Sequence, residues 1–460
     1  MTNLPEIGSS TRRSETNNEQ PSRRDFLAQK LKTGAALATL AVAAPCFGQD
    51  GNEQQENSDE VTTKSAASKI RIGVVGCGGR GMGAVGNSLT INDNVEVVAL
   101  GDLDPQACVR ARRGLLEQYE QRGAVAENKI HTGLDAYKRV LEDPDVDIVY
   151  LTTSPRFRPR HIAEAVDAGK HVFAEKPACV DPAGYHICVA AHDRAVANGT
   201  AIVTGPQYRR QINYIQAIKK IHDGAIGDIV SMTSRYCSSN IWYRERDEGM
   251  SELNYQLKNW MHFIWLSGDQ IVEQSVHNID VMNWVMGSAP ETAYGSGGRF
   301  HRPKDSQMWD AMSVDYTYPG DRVVSFKNRQ WPNSKTDNRN VIYGTEGTMH
   351  IGAGNKGSSM FNRKGAEVWS CDGKISDAYK QEHKDLVDSI VAGRPIVELK
   401  QTAESSLTAV MGRMAAYSGQ EVDWDFISKE STLNLFPEGL NEATVLKNDG
   451  YAIPGVTPLV

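Results

Sequence analysis

Between residues 69 and 205, short runs of β-branched and other apolar residues alternate with stretches of helical periodicity. IRIGVVG, VEVVAL, DIVYLTT, HVFAEKP and AIVTG read as strands, and 105–119, 159–168 and 182–198 read as helices between them. Strand–helix alternation at this spacing predicts a doubly wound, parallel sheet, the α/β Rossmann class. After Gly205 the pattern changes. A helix over 213–222 is followed by the alternating runs DIVSMTSRY, SVDYTYPG, RVVSFKNRQW and NVIYGTEGTMHIG. Such alternation predicts an α+β domain with an open, mainly antiparallel sheet, one face of it buried. Helices over 378–391 and 402–418 are expected to pack back on the body. The resulting division is a Rossmann domain over 69–205, an α+β domain for substrate and oligomerisation over 206–425, and a tail over 426–460.

The first 68 residues follow a different pattern. SRRDFL, with Arg23 and Arg24, precedes a short Ala-rich apolar run over 33–44, and Ala41-Val42-Ala43 offers a small-x-small cleavage site. Together these predict a twin-arginine signal peptide over 1–43, followed by a flexible linker over 44–68 that is rich in Glu, Gln, Asn and Ser. An apolar run of twelve residues falls short of the ~20 that span a bilayer, so no membrane anchor is expected. Cys46 raises lipidation, which Pro45 in front of it fits poorly. The expected destination is periplasmic or otherwise outside the cytoplasm.

Composition narrows the functional classes. The chain has 460 residues, 40% of them hydrophobic, enough for sizeable cores. Its net charge of −7 becomes −9 without residues 1–43, which carry six Lys/Arg and four Asp/Glu. No basic run survives beyond the leader, which argues against nucleic acid as a partner. The seven cysteines form no C-x-x-C pair and there is no His cluster at metal spacing, so no metal is expected. Cys77 reads as a small buried residue, and the cysteine spacing predicts no disulfide.

Chemistry enters with GVVGCGGRG. Gly76 permits the tight turn after the first strand, Gly78 lets backbone N–H groups approach a pyrophosphate, and Gly81 allows close helix–strand packing. Asp102 ends the second strand about twenty residues on, where an acid binds ribose hydroxyls and repels a 2′-phosphate. NAD is therefore favoured over NADP, although Arg80 or Arg110 is near enough in sequence to meet such a phosphate. Glu175-Lys176-Pro177 ends another strand, on the edge where a doubly wound sheet places its ligands.

These features, with ALGDLD, TTSPRFRPRHIAEAVDAGKHVFAEKP and TGPQYRR, make the chain resemble the Gfo/Idh/MocA family of sugar and polyol dehydrogenases over roughly residues 69–425. YKQEHKDLVDSIVAGRPI and SSLTAVMGRMAAYSGQ resemble its secreted members. The resemblance implies a nicotinamide cofactor contacted by Gly76, Gly78, Gly79, Arg80, Gly81, Asp102, Thr152, Ser154 and Glu175. It also implies a sugar or polyol substrate and a homo-oligomer. The family's catalytic lysine falls on Lys176 and its histidine on His277. Glu273 stands where the family has aspartate, one methylene shorter. On one helix, Glu273 and His277 at i and i+4 share a face. Asp280, three residues further on, offers another carboxylate, and Tyr208, Arg209, Trp260, Arg329 and Trp331 are candidate pocket residues.

The implied reaction is hydride transfer, with His277 taking the hydroxyl proton and Lys176 stabilising the oxygen. Free NAD is scarce outside the cell, so the cofactor is expected to stay tightly bound. A second carbonyl substrate then reoxidises it, or the cycle is redox-neutral, as in the family's NAD-dependent glycosidases. A binding protein that has lost catalysis is the contrasting alternative.

Overall fold

A computed structural model describes residues 69–460 apart from Glu442, Lys447 and Asp449; the arginine pair, the apolar run and Cys46 lie outside the described residues. The first alternation gives β1 (Ile70–Val75), α1 (Gly79–Ile91), β2 (Val95–Asp102), α2 (Pro105–Tyr119), β3 (Ile130–Thr132), α3 (Ala136–Glu142), β4 (Ile148–Leu151), α4 (Arg158–Asp167), β5 (His171–Ala174), α5 (Pro182–Asn198) and β6 (Ile202–Thr204). The six strands pair in parallel in the order β3-β2-β1-β4-β5-β6. Every residue of β4 and β6 is buried, as expected of strands covered on both faces. The order reverses between β1 and β4. Ligands of such sheets lie beyond the carboxyl ends of the strands at that switch point, here the loops starting at Gly76 and Thr152.

The second half adds α6 (Ile212–His222), β7 (Ile229–Ser238), α7 (Glu252–Lys258), α8 (Ile264–Ser267), α9 (Gln270–Glu273), α10 (Val276–Met286), β8 (Thr292–Gly298), β9 (Ala311–Tyr318), β10 (Arg322–Gln330), β11 (Asp337–Gly344), β12 (Gly347–Gly352), β13 (Ser358–Asn362), β14 (Glu367–Cys371), α11 (Ile375–Val391), α12 (Leu399–Ser418) and β15 (Val422–Asp423). The nine strands run β14-β13-β12-β11-β7-β10-β9-β8-β15, and only β7 and β10 pair in parallel. This is the open, mainly antiparallel sheet read from the alternation. The run NVIYGTEGTMHIG supplies two of its strands, β11 and β12, paired around the turn at Thr345 and Glu346.

The helix expected to carry Glu273 and His277 together is broken. Ser275 N–H reaches back to Gln270 O at 3.0 Å, and Asn278 N–H to Ser275 O at 2.9 Å. α9 therefore ends before α10 begins. Beside it, Asn328 Nδ2 on β10 donates to Ser275 Oγ at 3.2 Å, and Gln330 Nε2 donates to Gln274 Oε1 at 2.5 Å. Side-chain bonds from the sheet flank this junction, where Gln274 and Ser275 keep right-handed helical φ and ψ but Ser275 N–H bonds five residues back.

Beyond Asp425 the chain returns along the body. Leu433, Ala452 and Leu459 pack against the main core, while Leu435, Leu440 and Leu446 cover a cluster of Leu253, Tyr255, Phe263, Trp265 and Leu266. Trp309 Nε1–H donates to Ala452 O at 3.1 Å, which pins this segment by its backbone.

Candidate active site

The glycine loop is shaped by close approach at two of its glycines. Gly76 has φ +101°, and a Cβ there would lie 2.7 Å from the Thr152 carbonyl carbon. A Cβ on Gly81 would lie 2.0 Å from Gly76 O. At Gly78 and Gly79 the same atom would meet nothing within 4 Å. The outer glycines thus pack strand against helix. The inner two leave open space at the N-terminus of α1, where free N–H groups and the helix dipole favour a phosphate. A cavity of about 290 Å³ lies beside them, lined by Cys77, Gly78, Gly79, Met82, Arg110 and Ala111 among others. These residues fit a dinucleotide.

Asp102 holds this loop in shape. Its Oδ2 accepts from Cys77 N–H at 2.6 Å and its Oδ1 from Asp104 N–H at 2.9 Å. Burial raises its pKa, while those N–H bonds act in the opposite direction. Thr152 Oγ1 donates to Gly76 O at 2.6 Å, joining the β1 and β4 loops. Ser154 starts the short turn before α4 and makes no capping bond there.

Arg80 turns away from the Asp102 side of the loop. Its Nε donates to Glu175 Oε1, its Nη2 to Glu382 Oε1 at 3.3 Å, and its guanidinium lies 4.8 Å over the Tyr379 ring. Burial works against its charge, but the two carboxylates outweigh it and raise its pKa. Glu175 is consequently an anchor for Arg80, and its Oε2 accepts from Lys176 N–H at 3.1 Å.

Lys176 reaches from the end of β5 to the break between α9 and α10. Its Nζ donates to Glu273 O at 2.5 Å and to Glu273 Oε1 at 3.0 Å. The Glu273 carboxylate thus meets Lys176, not His277, and the shared helical face read from i, i+4 spacing gives way to this cross-contact. His277 is half-buried, and its Nδ1 is shut in without a protein partner among the described residues. Burial first, then the cations of Lys176 and Arg80, hold its pKa well below the ordinary histidine value of 6.5. It is neutral near pH 7. Tyr208 tilts against it at 5.5 Å between ring centroids and stacks on Tyr214 at 4.4 Å.

Several expected pocket residues are occupied elsewhere. Arg209 Nε and Nη2 donate in a fork to the two oxygens of Asp280, each at 2.8 Å, and Ser405 Oγ donates to Asp280 at 2.8 Å. Asp280 is fully buried. This pair is an internal strut between α10, α12 and the Tyr208 turn. Arg329 Nη2 donates to Lys335 O at 2.6 Å, Trp331 Nε1–H to Asp310 at 3.1 Å, and Trp260 leans on Trp242.

The second sheet supplies polar groups that the sequence reading missed. Across β10, β7 and β11 the paired residues run Val324–Met232–Ile342, then Phe326–Ser234–Asn340, then Asn328–Tyr236–Asn338, with Gln330 beside Ser238. One face therefore grades from apolar to polar towards the α9–α10 junction, where Asn278 Nδ2 donates to Arg235 O at 2.9 Å. Ser238 Oγ, Asn328 Oδ1 and Asn338 Oδ1 are buried there without partners among the described residues. Unpaired buried acceptors of this kind suit a ligand with many hydroxyls. Of this face, Met232, Ser234 and Tyr236 fall within DIVSMTSRY.

Arg158 was also missed. It is buried, donating to Pro177 O and, at 2.6 Å, to Thr153 O, so it braces the loops that carry Lys176 and Thr152. Burial pushes it down to about 10.

Residues 70–197 match the model of the oxidoreductase family with an NAD-binding Rossmann fold, and residues 214–350 match the GFO/IDH/MocA C-terminal domain. The scyllo-inositol 2-dehydrogenase (NAD(+)) of Bacillus subtilis (strain 168) is 26% identical over 62% of this chain and 74% of its own. Glycosyl hydrolase family 109 protein 2 of Shewanella sp. (strain ANA-3) is 30% identical over 34% of this chain and 33% of its own. The chain spans 57% of the length of another relative, the oxidoreductase YrbE of Bacillus subtilis (strain 168). Among solved structures, the aldose-aldose oxidoreductase of Caulobacter crescentus, complexed with glycerol, superposes with a TM-score of 0.60 at 19% identity, covering 77% of this chain and 99% of that one.

Proposed function

Because this chain belongs to the Gfo/Idh/MocA family of oxidoreductases, we propose that it is an exported enzyme acting on a hydroxyl of a sugar or polyol, with a tightly held NAD. The observation that carries this reading is the Lys176 ammonium, set just beyond β5 and bonded across to Glu273 at the end of α9, four residues before His277. The glycine loop and the N-terminus of α1 would hold the pyrophosphate, and Asp102 the ribose hydroxyls. NAD, when bound, supplies a hydride acceptor. His277, kept neutral by burial and nearby cations, accepts the substrate hydroxyl proton. Lys176 holds the same oxygen and stabilises the charge that develops on it, while Glu273 positions the ammonium. Tyr236, Asn328 and Asn338 give the ring hydroxyls partners. The inositol dehydrogenase relatives support the polyol class.

A second reading is a redox-neutral cleavage, in which the hydroxyl is oxidised transiently and restored. It is favoured by the relatives named as family 109 glycosyl hydrolases. Export by the twin-arginine route explains tight binding in either case, because a protein folded around its cofactor carries it out.

Mass spectrometry of small molecules released from the denatured exported protein, followed by a screen of sugars and polyols, tests the proposal. NAD(H) at about one per chain with turnover of a sugar or polyol supports it. No dinucleotide and no binding of added NAD would sink it.

A further inference from the structure

The glycine loop contains a group that phosphate and ribose binding do not need. Cys77 Sγ lies 4.0 Å from Cys108 Sγ on α2, across 31 residues of sequence. Cys77 sits between two loop glycines and lines the cavity beside them, while Cys108 is fully buried behind it. We propose that Cys77 and Cys108 form a reversible disulfide that ties the glycine loop to α2 and weakens dinucleotide binding. The effect on binding rests on the reading of this loop as the NAD site; the cross-link does not.

A disulfide brings its sulfurs to about 2.05 Å, so the two must close by about 2 Å. The loop has little slack. Gly76 is pressed against Thr152, Gly81 against Gly76 O, and Cys77 N–H is fixed on Asp102. Closure therefore falls on α2, whose Arg110, Ala111 and Leu115 form a wall of the cavity. Drawing that wall inward reduces the room beside Gly78 and Gly79.

The oxidant is a small organic disulfide, RSSR, entering through the cavity. Cys77 sulfur attacks one of its sulfurs and releases RS⁻, which takes the Cys77 proton. Cys108 sulfur then attacks Cys77 sulfur, releasing a second RS⁻ that takes the Cys108 proton. Two electrons pass from the protein thiols to RSSR, giving one protein disulfide and two RSH. By linkage, a dinucleotide that prefers the dithiol form must itself oppose the cross-link by the same factor.

The full chain, with and without added NAD, is equilibrated with 2-hydroxyethyl disulfide, its free thiols are alkylated, and its peptides are mapped by mass. Expected is a linked pair of peptides containing Cys77 and Cys108, two hydrogens lighter than the separate peptides. NAD should bind about tenfold more weakly to the linked protein and suppress linking to the same degree. Cys108→Ala should bind NAD as the reduced protein does and be insensitive to the oxidant. Recovery of both cysteines as free thiols, or of Cys77 bound only to the reagent, overturns the proposal. So does a linked protein that binds NAD unchanged. If the reduced protein does not bind NAD, the nucleotide-site reading falls and the peptide map still decides the thiol chemistry.

Discussion

The two sheets face the same site but act on it by different means. On the parallel sheet the work is done by backbone. Gly76 and Gly81 pack where no side chain fits, Gly78 and Gly79 leave space, and each oxygen of Asp102 accepts one N–H bond from its own neighbourhood. Where the helices beside the mixed sheet meet the parallel sheet, the work is done by side chains brought from afar: Lys176, beyond β5, meets Glu273 of α9 across 97 residues, and Arg209 meets Asp280 of α10 across 71. A surface for a common cofactor needs a fixed backbone shape, which a contiguous stretch can encode. A surface for one substrate needs particular side chains, which any fold can collect from several elements.

Substitutions separate the two kinds of surface. His277→Ala should cut hydride transfer by about 10²–10⁴-fold, the usual contribution of a positioned base, while leaving NAD affinity unchanged in titration. A matching loss of NAD affinity would blur the division. Arg209→Ala should act on stability instead, since it strands the buried Asp280 carboxylate. A loss of about 3–5 kcal/mol is expected in denaturant unfolding; a change below about 1 kcal/mol would mean the pair is not a strut.

Acid should reveal buried histidines on both sides. Burial pushes His161 and His383 down to about 3, and holds His277 well below 6.5. Each stays neutral in the folded protein while the unfolded chain takes up a proton, so stability falls as pH drops below 6.5. Glu382, which burial holds well above 4.5, takes up a proton in the folded state and offsets part of this. The net loss should be on the order of 1–3 kcal/mol per pH unit on descending from 6.5 to about 5. Stability that is flat or rises over that interval would contradict the assignment. The smallest effect is at the sheet: Asn338→Ala should raise KM for the sugar up to about tenfold with little change in kcat, the loss of one hydrogen bond to a bound hydroxyl.

The same contrast explains what the sequence could convey. The β1 loop, Asp102 and the strand–helix alternation were legible because their meaning is local: a turn, an acid at a fixed offset, a period. Arg80 showed the limit even there, since its carboxylate partners Glu175 and Glu382 lie 95 and 302 residues away. Glu273 and His277 were misplaced on one helix because the bonds that flank its break come from Asn328 and Gln330, on a distant strand. Asp280 and Arg209 looked like pocket residues until their mutual fork was seen. Tyr236 and Asn338 went unnoticed because alternation marks a buried face without telling core from cleft. Tyr379 and Glu382 lie within YKQEHKDL, a segment noticed for its resemblance and not for its chemistry.

The proposed reaction centre rests most heavily on Lys176, and single-turnover reduction of bound NAD tests it most directly. Wild-type protein and Lys176→Ala, each loaded with NAD, are mixed with a sugar or polyol that the wild type oxidises, and the nicotinamide is followed by absorbance. Expected is equal NAD binding in both, with reduction in Lys176→Ala slower by about 10²-fold or more, as for loss of an oxyanion-stabilising donor. Reduction at the wild-type rate in Lys176→Ala would contradict the assignment of chemistry to the end of β5.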